Sequence, residues 1–390
     1  VKTSLKILHT ADWHLGLVSW QRLAGIDRGE EQREALEQMI TVAHEEKVDL
    51  VVHSGDLFHQ YNRPPRNAIA MAVEAIMRFR SIAPFVWVVG NHDWYAMGAL
   101  QEVFFPDVFI LREFTPVDIP TLPVTVFPYP YISLSRLLGG KTGAELQEQA
   151  REKMINLFRE WEETLQDSRW NVLAAHCTLE DCAWYAQANS VRELFLKSTD
   201  FPGGMHYGAF GHLHAFIQHS DGKFPLVYPS PLVRDTFQQE KEQTGCVLVE
   251  LVKEKEAVVK HVSLPSVRLV TVDVEEDADL PNLVNTTEEL TGGEAAYIRF
   301  RIKSSGVPLR LRSRLAGLRG ENWQTVAVES AFLSPGETAE IQGEEAMDVR
   351  AVPELFSVFC RSMGHSERVV DLFKRYYQEA VEEEGRDASG

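Results

Sequence analysis

The chain has 390 residues, 44% of them hydrophobic, with 20 Phe and 8 Trp, and a formal net charge of −18. That is globular composition for two or three domains, and no apolar run approaches the roughly 18–20 residues a membrane span needs. So negative a total argues against nucleic acid as a partner of the whole surface, because phosphate binding is driven by Lys and Arg. It leaves room for a local basic patch or for bound cations.

The first residues, "VKTSLKILHT", carry no apolar signal core and no small-residue cleavage site, so no secretory signal is expected. Val stands first where Met is expected, which points to a processed or reassigned start. Of the four cysteines, only Cys177 and Cys182 lie close, and no second pair completes a zinc site. Reduced thiols in a cytoplasmic protein are expected rather than a disulfide framework.

Five short apolar runs, taken in chain order, end abruptly in polar clusters. "LKILHTADWH" delivers Asp12 and His14. "VDLVVHSGDLFH" delivers Asp56, with His59 just behind. "FVWVVGNHDW" delivers Asn91, His92 and Asp93. "NVLAAHC" delivers His176, and "YGAFGHLHAF" delivers His212 and His214. Between the first three lie two amphipathic stretches. One places Leu36, Met39, Ile40 and Ala43 on a helical face; the other begins at prolines and spaces Ile69, Val73 and Ile76. The order β-α-β-α-β predicts an α/β core, in which ligands gather at the carboxyl ends of the strands, where all five clusters fall.

Carboxylates, imidazoles and one amide, without thiolate, suit manganese, iron or zinc. Asp12 and His14 are two residues apart, as are His212 and His214. On an extended segment each pair would project to one side. Two such pairs, one more carboxylate and two further ligands exceed the needs of one metal. A two-metal site of the kind that clamps a phosphoryl group follows, with Asp56 central enough to bridge.

Later segments add weaker signals. "LLGGKTGAE" lacks the glycine a phosphate loop requires at position 135, which is Ser135, so no ATP hydrolysis is expected. "AELQEQAREKMINLFREWEETLQD" reads as a long helix with Leu146, Met154, Leu157, Trp161 and Leu165 in its stripe. The connection from Thr178 to His206, with Trp184 and Tyr185, is expected to border the substrate groove. Residues 266–345 read β-α-β-α-β. Between Arg299 and Arg319 stand seven basic residues and no acidic one. Arg299, Arg301 and Lys303 alternate with Ile298, Phe300 and Ile302, and Arg310 and Arg314 follow on a helix. This is a local basic face suited to a DNA backbone. Residues 346–390 read as two helices broken at Gly364, with Ser366 as an N-cap. Val369, Phe373, Tyr376 and Tyr377 mark a face that a hairpin alone cannot bury, suited to helix-in-groove docking.

The series "DWH", "GDLFH", "GNHDW", a lone His and "GHLH" resembles the motif set of calcineurin-like metallophosphoesterases. "ILHTADWHLG", "GDLFHQYNRPP" and "YPSPLVRDTF" are similar to the SbcD nuclease family, whose counterparts outside bacteria are the meiotic recombination 11 nucleases. The resemblance covers roughly residues 5–240 strongly and the remainder by layout. It implies a four-layer αββα sandwich over residues 1–265, a small α/β DNA-binding cap over 266–345 and a helical hairpin over 346–390. It implies one metal held by Asp12, His14, Asp56 and His214 and a second by Asp56, Asn91, His176 and His212, both manganese. His92 would assist the leaving group without binding metal, Asp93 would hold the His92 ring, and His59 would lie near the scissile phosphate. The implied function is a manganese-dependent DNA exonuclease and endonuclease for double-strand-break repair. Its partners would be DNA, an SbcC-type coiled-coil ABC ATPase and a second copy of the chain, with no membrane. A phosphoesterase for a small phosphodiester or phosphomonoester shares the metal residues but needs neither cap nor hairpin. A non-catalytic scaffold for DNA ends has no need of His92.

Overall fold

Runs of Val, Ile, Leu and aromatic residues make the strands, and their side chains divide between two faces. In a computed structural model the described residues are 3–21, 23–93, 106–137, 144–182, 193–220, 223–304 and 309–332. Trp184, Tyr185, Cys360, Gly364, Ser366, Val369, Phe373, Tyr376 and Tyr377 lie outside them.

The chain begins β1 (Ser4–Thr10), β2 (Val18–Ser19), β3 (Ile26–Asp27), α1 (Gly29–Glu45), β4 (Leu50–His53), α2 (Arg66–Arg80), β5 (Phe85–Val88) and β6 (Val108–Leu111). There follow β7 (Val117–Ile119), β8 (Val124–Tyr129), a helix at Ala144–Glu162, β9 (Trp170–His176), β10 (Tyr207–Gly211), β11 (Phe216–Ser220), β12 (Pro225–Pro229), β13 (Gly245–Val252) and β14 (Val258–Ser263). Two six-stranded sheets result, ordered β14-β13-β1-β4-β5-β6 and β11-β12-β10-β9-β8-β7. Strands β1, β4, β5 and β6 run parallel, as do β8, β9, β10 and β12.

Each inner strand is buried on both faces, which is why it reads as an unbroken apolar run. Leu5 and Ile7 of β1, Leu50 and Val52 of β4, and Val86 and Val88 of β5 share a core with Val172, Ala174, Tyr207 and Ala209 of the other sheet. The alternate residues Leu8, Val51, Phe85 and Trp87 pack with α1 and α2. Leu173, Ala175 and Phe210 pack with Ala150, Met154, Phe158 and Trp161 of the long helix. The layering is therefore helix, sheet, sheet, helix, as the resemblance implied.

Helix α1 buries Leu36, Met39, Ile40 and Ala43 as expected, with Gln32 and Ala35 beside them. Helix α2 starts directly after Pro65, but its stripe is rotated from the expected one. Ala68, Met71, Ala72, Ala75, Ile76 and Phe79 are buried, while Ile69 and Val73 sit at the rim. Small alanines bring this helix close to the sheet, so the larger β-branched residues fall at the edge of the contact. Cys177, Cys182 and Cys246 are buried free thiols. No helix among the described residues is long and apolar enough to cross a membrane.

Residues beyond the sandwich form β15 (Arg268–Glu275), a helix at Leu280–Thr291, β16 (Ala296–Ser304), a helix at Leu309–Ala316 and β17 (Trp323–Phe332). The strands pair in the order β15-β16-β17. This is the β-α-β-α-β succession expected. Asp279 caps the first of these helices by accepting the Asn282 N–H, and Gly292 ends it in the left-handed region (φ 64°).

The chain divides into two compact units. The first is Val1–Val272, Asp279–Phe300 and Ala316–Val328; the second is Asp273–Ala278, Arg301–Leu315 and Glu329–Gly390. Within the first, Arg28 acts as a buried tie. Its Nε and Nη2 meet Glu31 at 2.7 and 2.9 Å, and Nη1 donates to the Arg234 carbonyl at 2.8 Å. Glu31 in turn accepts from Ser266 Oγ and the Val267 N–H, both at 2.8 Å. The guanidinium also lies against the rings of Trp20 and Tyr297.

Candidate metal centre

The carboxyl ends of β1, β4, β5, β9 and β10 meet at one place. The loops after β1 and β4 are laced together: Asp12 N–H donates to Gly55 O at 2.9 Å and His14 N–H to Asp56 O at 3.1 Å. Four of the polar residues have left-handed backbone: Asp12 (φ 52°), His14 (φ 46°), Asp56 (φ 57°) and His212 (φ 98°). Such conformations cost of order 1–3 kcal/mol each and persist only where the surroundings hold them. They also correct one expectation. Neither D-x-H nor H-x-H lies on extended backbone, so strand alternation does not aim these side chains.

Asp12, His14 and His214 form one cluster, and Asp56, His176 and His212 another. In the first, the Nε2 atoms of His14 and His214 approach to 3.1 Å. Asp12 Oδ1 lies 4.0 and 3.7 Å from them. In the second, Asn91 Oδ1 stands 3.0 Å from His176 Nε2 and 3.1 Å from His212 Nδ1. His212 and His214, two residues apart, thus point to different clusters. Asp56 joins the two: Oδ2 lies 3.6 Å from His14 Nε2, and Oδ1 lies 3.4 Å from His176 Nε2.

The imidazoles are held from behind, through the ring nitrogen turned away from the cluster. His176 donates Nδ1–H to the Ser54 carbonyl at 2.7 Å, leaving Nε2 inward. Ser54 is itself fixed, because its hydroxyl donates to Ala209 O at 3.0 Å and accepts from His9 Nε2 at 3.2 Å. His212 turns Nε2 to Glu193 Oε1 at 3.3 Å. His214 turns Nδ1 to Asp235 at 3.8 Å and to the Gln239 amide at 2.8 Å. Glu193, Asp235, Gln239 and Ser54 were not singled out from the sequence. Glu193 lies within the connection between His176 and His212, and Asp235 lies in "VRDTF". No spacing rule marks either as a neighbour of a given histidine.

Close approach of the backbone is built in. A Cβ at Gly90 would stand 2.2 Å from Asp56 Oδ1, and one at Gly55 would stand 2.2 Å from His176 Nδ1.

The electrostatics are those of an anionic cluster facing imidazoles. Burial opposes charge on Asp56, yet His176, His14 and His92 together hold its pKa well below the usual carboxylate range. Burial likewise opposes charge on His176, but the Asp56 carboxylate outweighs it and lifts the imidazole to about 9. His214 is lifted to about 9, against burial, by Asp235 and Asp12.

His92 lies at the rim, its Nε2 4.0 Å from Asp56 Oδ2 and its ring 4.9 Å from that of His14. His59 stacks beside it at 6.0 Å. The His92 ring is fixed by Nδ1–H donating to the His59 carbonyl at 2.6 Å. Asp93 does not hold that ring. Its fully buried carboxylate accepts from the N–H groups of Asp56 (2.9 Å), Leu57 (2.8 Å) and Gly90 (2.9 Å) and from Trp87 Nε1 (3.1 Å). It therefore ties the loop after β4 to the turn after β5. An Asp next to the His in sequence need not face it, because consecutive side chains in a turn diverge.

The basic stripe of β16 is paired rather than free. Arg301 makes a bidentate pair with Asp273 at 2.6 and 3.1 Å, and Lys303 lies 3.3 Å from the same carboxylate. Arg299 donates to Thr271 Oγ1 and lies 3.9 Å from Glu240. The sequence window that held no acid missed these partners, which come from β15 and from the loop near Gln239. Arg310, Arg312 and Arg314 are exposed, with no acidic partner at salt-bridge distance among the described residues.

Divalent metals fit the donor set. A first-row ion takes N and O ligands at about 2.0–2.2 Å, so ligand atoms around it lie roughly 3 Å apart or a little more. The separations of 3.0–4.0 Å among Asn91, His176, His212, Asp56, His14, His214 and Asp12 are of that size.

A model of the calcineurin-like phosphoesterase family matches residues 5–216. The chain belongs to that family. Phosphoester hydrolysis is thus the class of chemistry, and divalent metals are implied by the family as well as by the donor set. The chain is 25% identical over 276 residues to the DNA double-strand break repair protein Mre11 of Sulfurisphaera tokodaii, covering 69% of this chain and 63% of that one. It is 38% identical over 91 residues to the SbcD component of the nuclease SbcCD of Bacillus subtilis, covering 23% of this chain and 22% of that one. The matches span less than two thirds of either relative. Among solved structures, a dimetal phosphatase from Danio rerio aligns with 67% of this chain and 99% of its own, at 13% identity and a TM-score of 0.40.

Proposed function

We propose that this calcineurin-like phosphoesterase is the nuclease subunit of an SbcCD-type double-strand-break repair complex, hydrolysing DNA phosphodiester bonds. The observation that carries the two-metal reading is Asp56, with one oxygen toward each cluster of ligands. Asp12, His14, Asp56 and His214 would hold one ion, and Asp56, Asn91, His176 and His212 the other. The ions would be manganese, which suits mixed oxygen and imidazole ligands. When bound, they supply Lewis-acid stabilisation of a phosphoryl group and lower the pKa of water.

The chain's own residues do the rest. His92, anchored through Nδ1, presents Nε2 at the rim of the centre, where it gives a proton to the departing sugar oxygen. General acid help of this kind contributes about 10²–10⁴-fold. His59 positions His92 through its carbonyl and stands beside the same phosphate. The similarity to Mre11 and to SbcD supports DNA as the substrate, and with it a cytoplasmic setting, an SbcC-type ATPase partner at residues 346–390 and a homodimer. Residues 266–345 are assigned as the DNA-binding cap. There Arg310 and Arg314, with Arg312, offer charge for phosphates that meets no acid among the described residues.

The test is cleavage of linear duplex and single-stranded DNA by wild type and His92→Ser, with manganese or magnesium. Manganese-dependent cleavage, lost 10²-fold or more in the variant with metal content retained, is expected. A metal-loaded protein that hydrolyses a small phosphodiester but no DNA, even with its ATPase, would instead make this a small-substrate phosphoesterase.

A further inference from the structure

Beside the metal centre lies a cavity of about 550 Å³ at the carboxyl ends of β6 and β8, roofed by the helix at Ala144–Glu162. Tyr131 forms part of its wall and also faces the centre, its ring 5.9 Å from that of His212 and 6.3 Å from that of His176. The cavity thus shares a side chain with the ligands of the second cluster.

Its lining is mainly apolar, with Ile132, Leu137, Met154 and Leu157, and cationic and aromatic groups are set into it. Arg112, Arg136 and Lys153 contribute positive charge, with Phe114 beside Tyr131; the acids Glu113 and Glu160 also reach it. The lining carries one net positive charge, three cations against two acids, within a chain of net charge −18.

Arg112 is the informative member. Its Nε and Nη2 are buried and have no hydrogen-bond partner. Arg28, Arg151 and Arg301 each set this same edge against a carboxylate. The edge is a planar fork that fits carboxylate or phosphate oxygens. Buried unmet donors are rare and call for a partner. Because the Arg112 fork makes no hydrogen bond where it lies, its rotation into the cavity breaks none. Lys153 uses one donor on the Leu137 carbonyl at 3.2 Å and keeps two.

We propose that this cavity is a second substrate subsite, holding the nucleotide next to the scissile bond of a single strand. Arg112 and Lys153 take its phosphate, and its unpaired base lies on Tyr131. Stacking on an aromatic ring accepts any base. The inference rests on the nuclease reading above.

The test compares the full chain with an Arg112→Gln, Lys153→Gln double variant in manganese. Two substrates are used: bis(p-nitrophenyl) phosphate, which has no neighbouring nucleotide, and a short labelled single-stranded oligonucleotide. The ratio of kcat/KM for oligonucleotide over diester is expected to fall about tenfold or more, chiefly through KM, the loss of charged hydrogen bonds to phosphate. A ratio equal to that of wild type overturns the subsite, whether both rates hold or both fall together. A wild type that hydrolyses the diester but never the oligonucleotide removes the nuclease reading itself, and the subsite with it. Arg112→Gln alone removes a group without hydrogen bonds, so the melting temperature of that single variant should match wild type, whereas Lys153→Gln also gives up the bond to the Leu137 carbonyl.

Discussion

Asp93→Asn separates two roles for the residue that follows His92. The carboxylate is fully buried. Oδ2 receives Asp56 N–H, Gly90 N–H and Trp87 Nε1–H at 2.9, 2.9 and 3.1 Å, and Oδ1 receives Leu57 N–H at 2.8 Å with Phe58 N–H at 3.4 Å. Burial and the neighbouring Asp56 charge push its pKa up to about 6, so it is ionised at pH 7 and above. An amide offers one oxygen. Its NH2 must face one set of donors, and the cheaper choice strands Leu57 and Phe58. An orphaned buried donor costs about 1–3 kcal/mol, and because the site raises the Asp93 pKa, relief of its buried charge offsets the lost charge assistance of the remaining bonds, so the total is about 1–3 kcal/mol. For a domain of this size that lowers the melting temperature by roughly 2–12 °C. Calorimetry or circular dichroism of the metal-free protein reads it. Metal content should fall too, since the loop that Asp93 holds carries Asp56. Melting and metal content like those of wild type, with activity lost, would refute this and restore a role for Asp93 in holding the His92 ring.

Gly90→Ala places a Cβ 2.2 Å from Asp56 Oδ1 and 2.4 Å from Asp56 N, so the carboxylate must move. Manganese affinity should fall about 10–100-fold, as for other disturbances of ligand support, and an unchanged titration would contradict the bridging position of Asp56. Arg28→Met leaves Glu31 buried without its partner and should cost about 3–5 kcal/mol, visible as a lower urea midpoint; a loss near zero would mean the tie is dispensable. Replacing Arg310, Arg312 and Arg314 with Gln should flatten the salt dependence of DNA binding by about 0.9 in log–log slope for each phosphate no longer neutralised. Arg301→Gln should leave that slope nearly unchanged, because Asp273 already neutralises it. The opposite order of effects would return phosphate binding to β16.

Much of the fold was written in local pattern. The unbroken apolar runs ending at Asp12, Asp56, Asn91, His176 and His212 are what parallel strands buried on both faces require, so strands, layers and the end that carries the chemistry could all be read directly. Composition of the clusters likewise pointed to donor atoms suited to divalent metals. Tertiary structure decided what local pattern cannot carry. Left-handed turns, not strand alternation, aim Asp12 and His14, and they send His212 and His214 to different clusters. Glu193, Asp235 and Ser54 back the histidines from loops far away in sequence. Asp93 turned from its neighbour to the backbone of another loop, and Asp273 neutralised a stripe that looked basic along its own strand. A sequence fixes which groups are buried and near a strand end, because burial follows periodicity. Which group faces which depends on side-chain direction across chain separations that periodicity does not span.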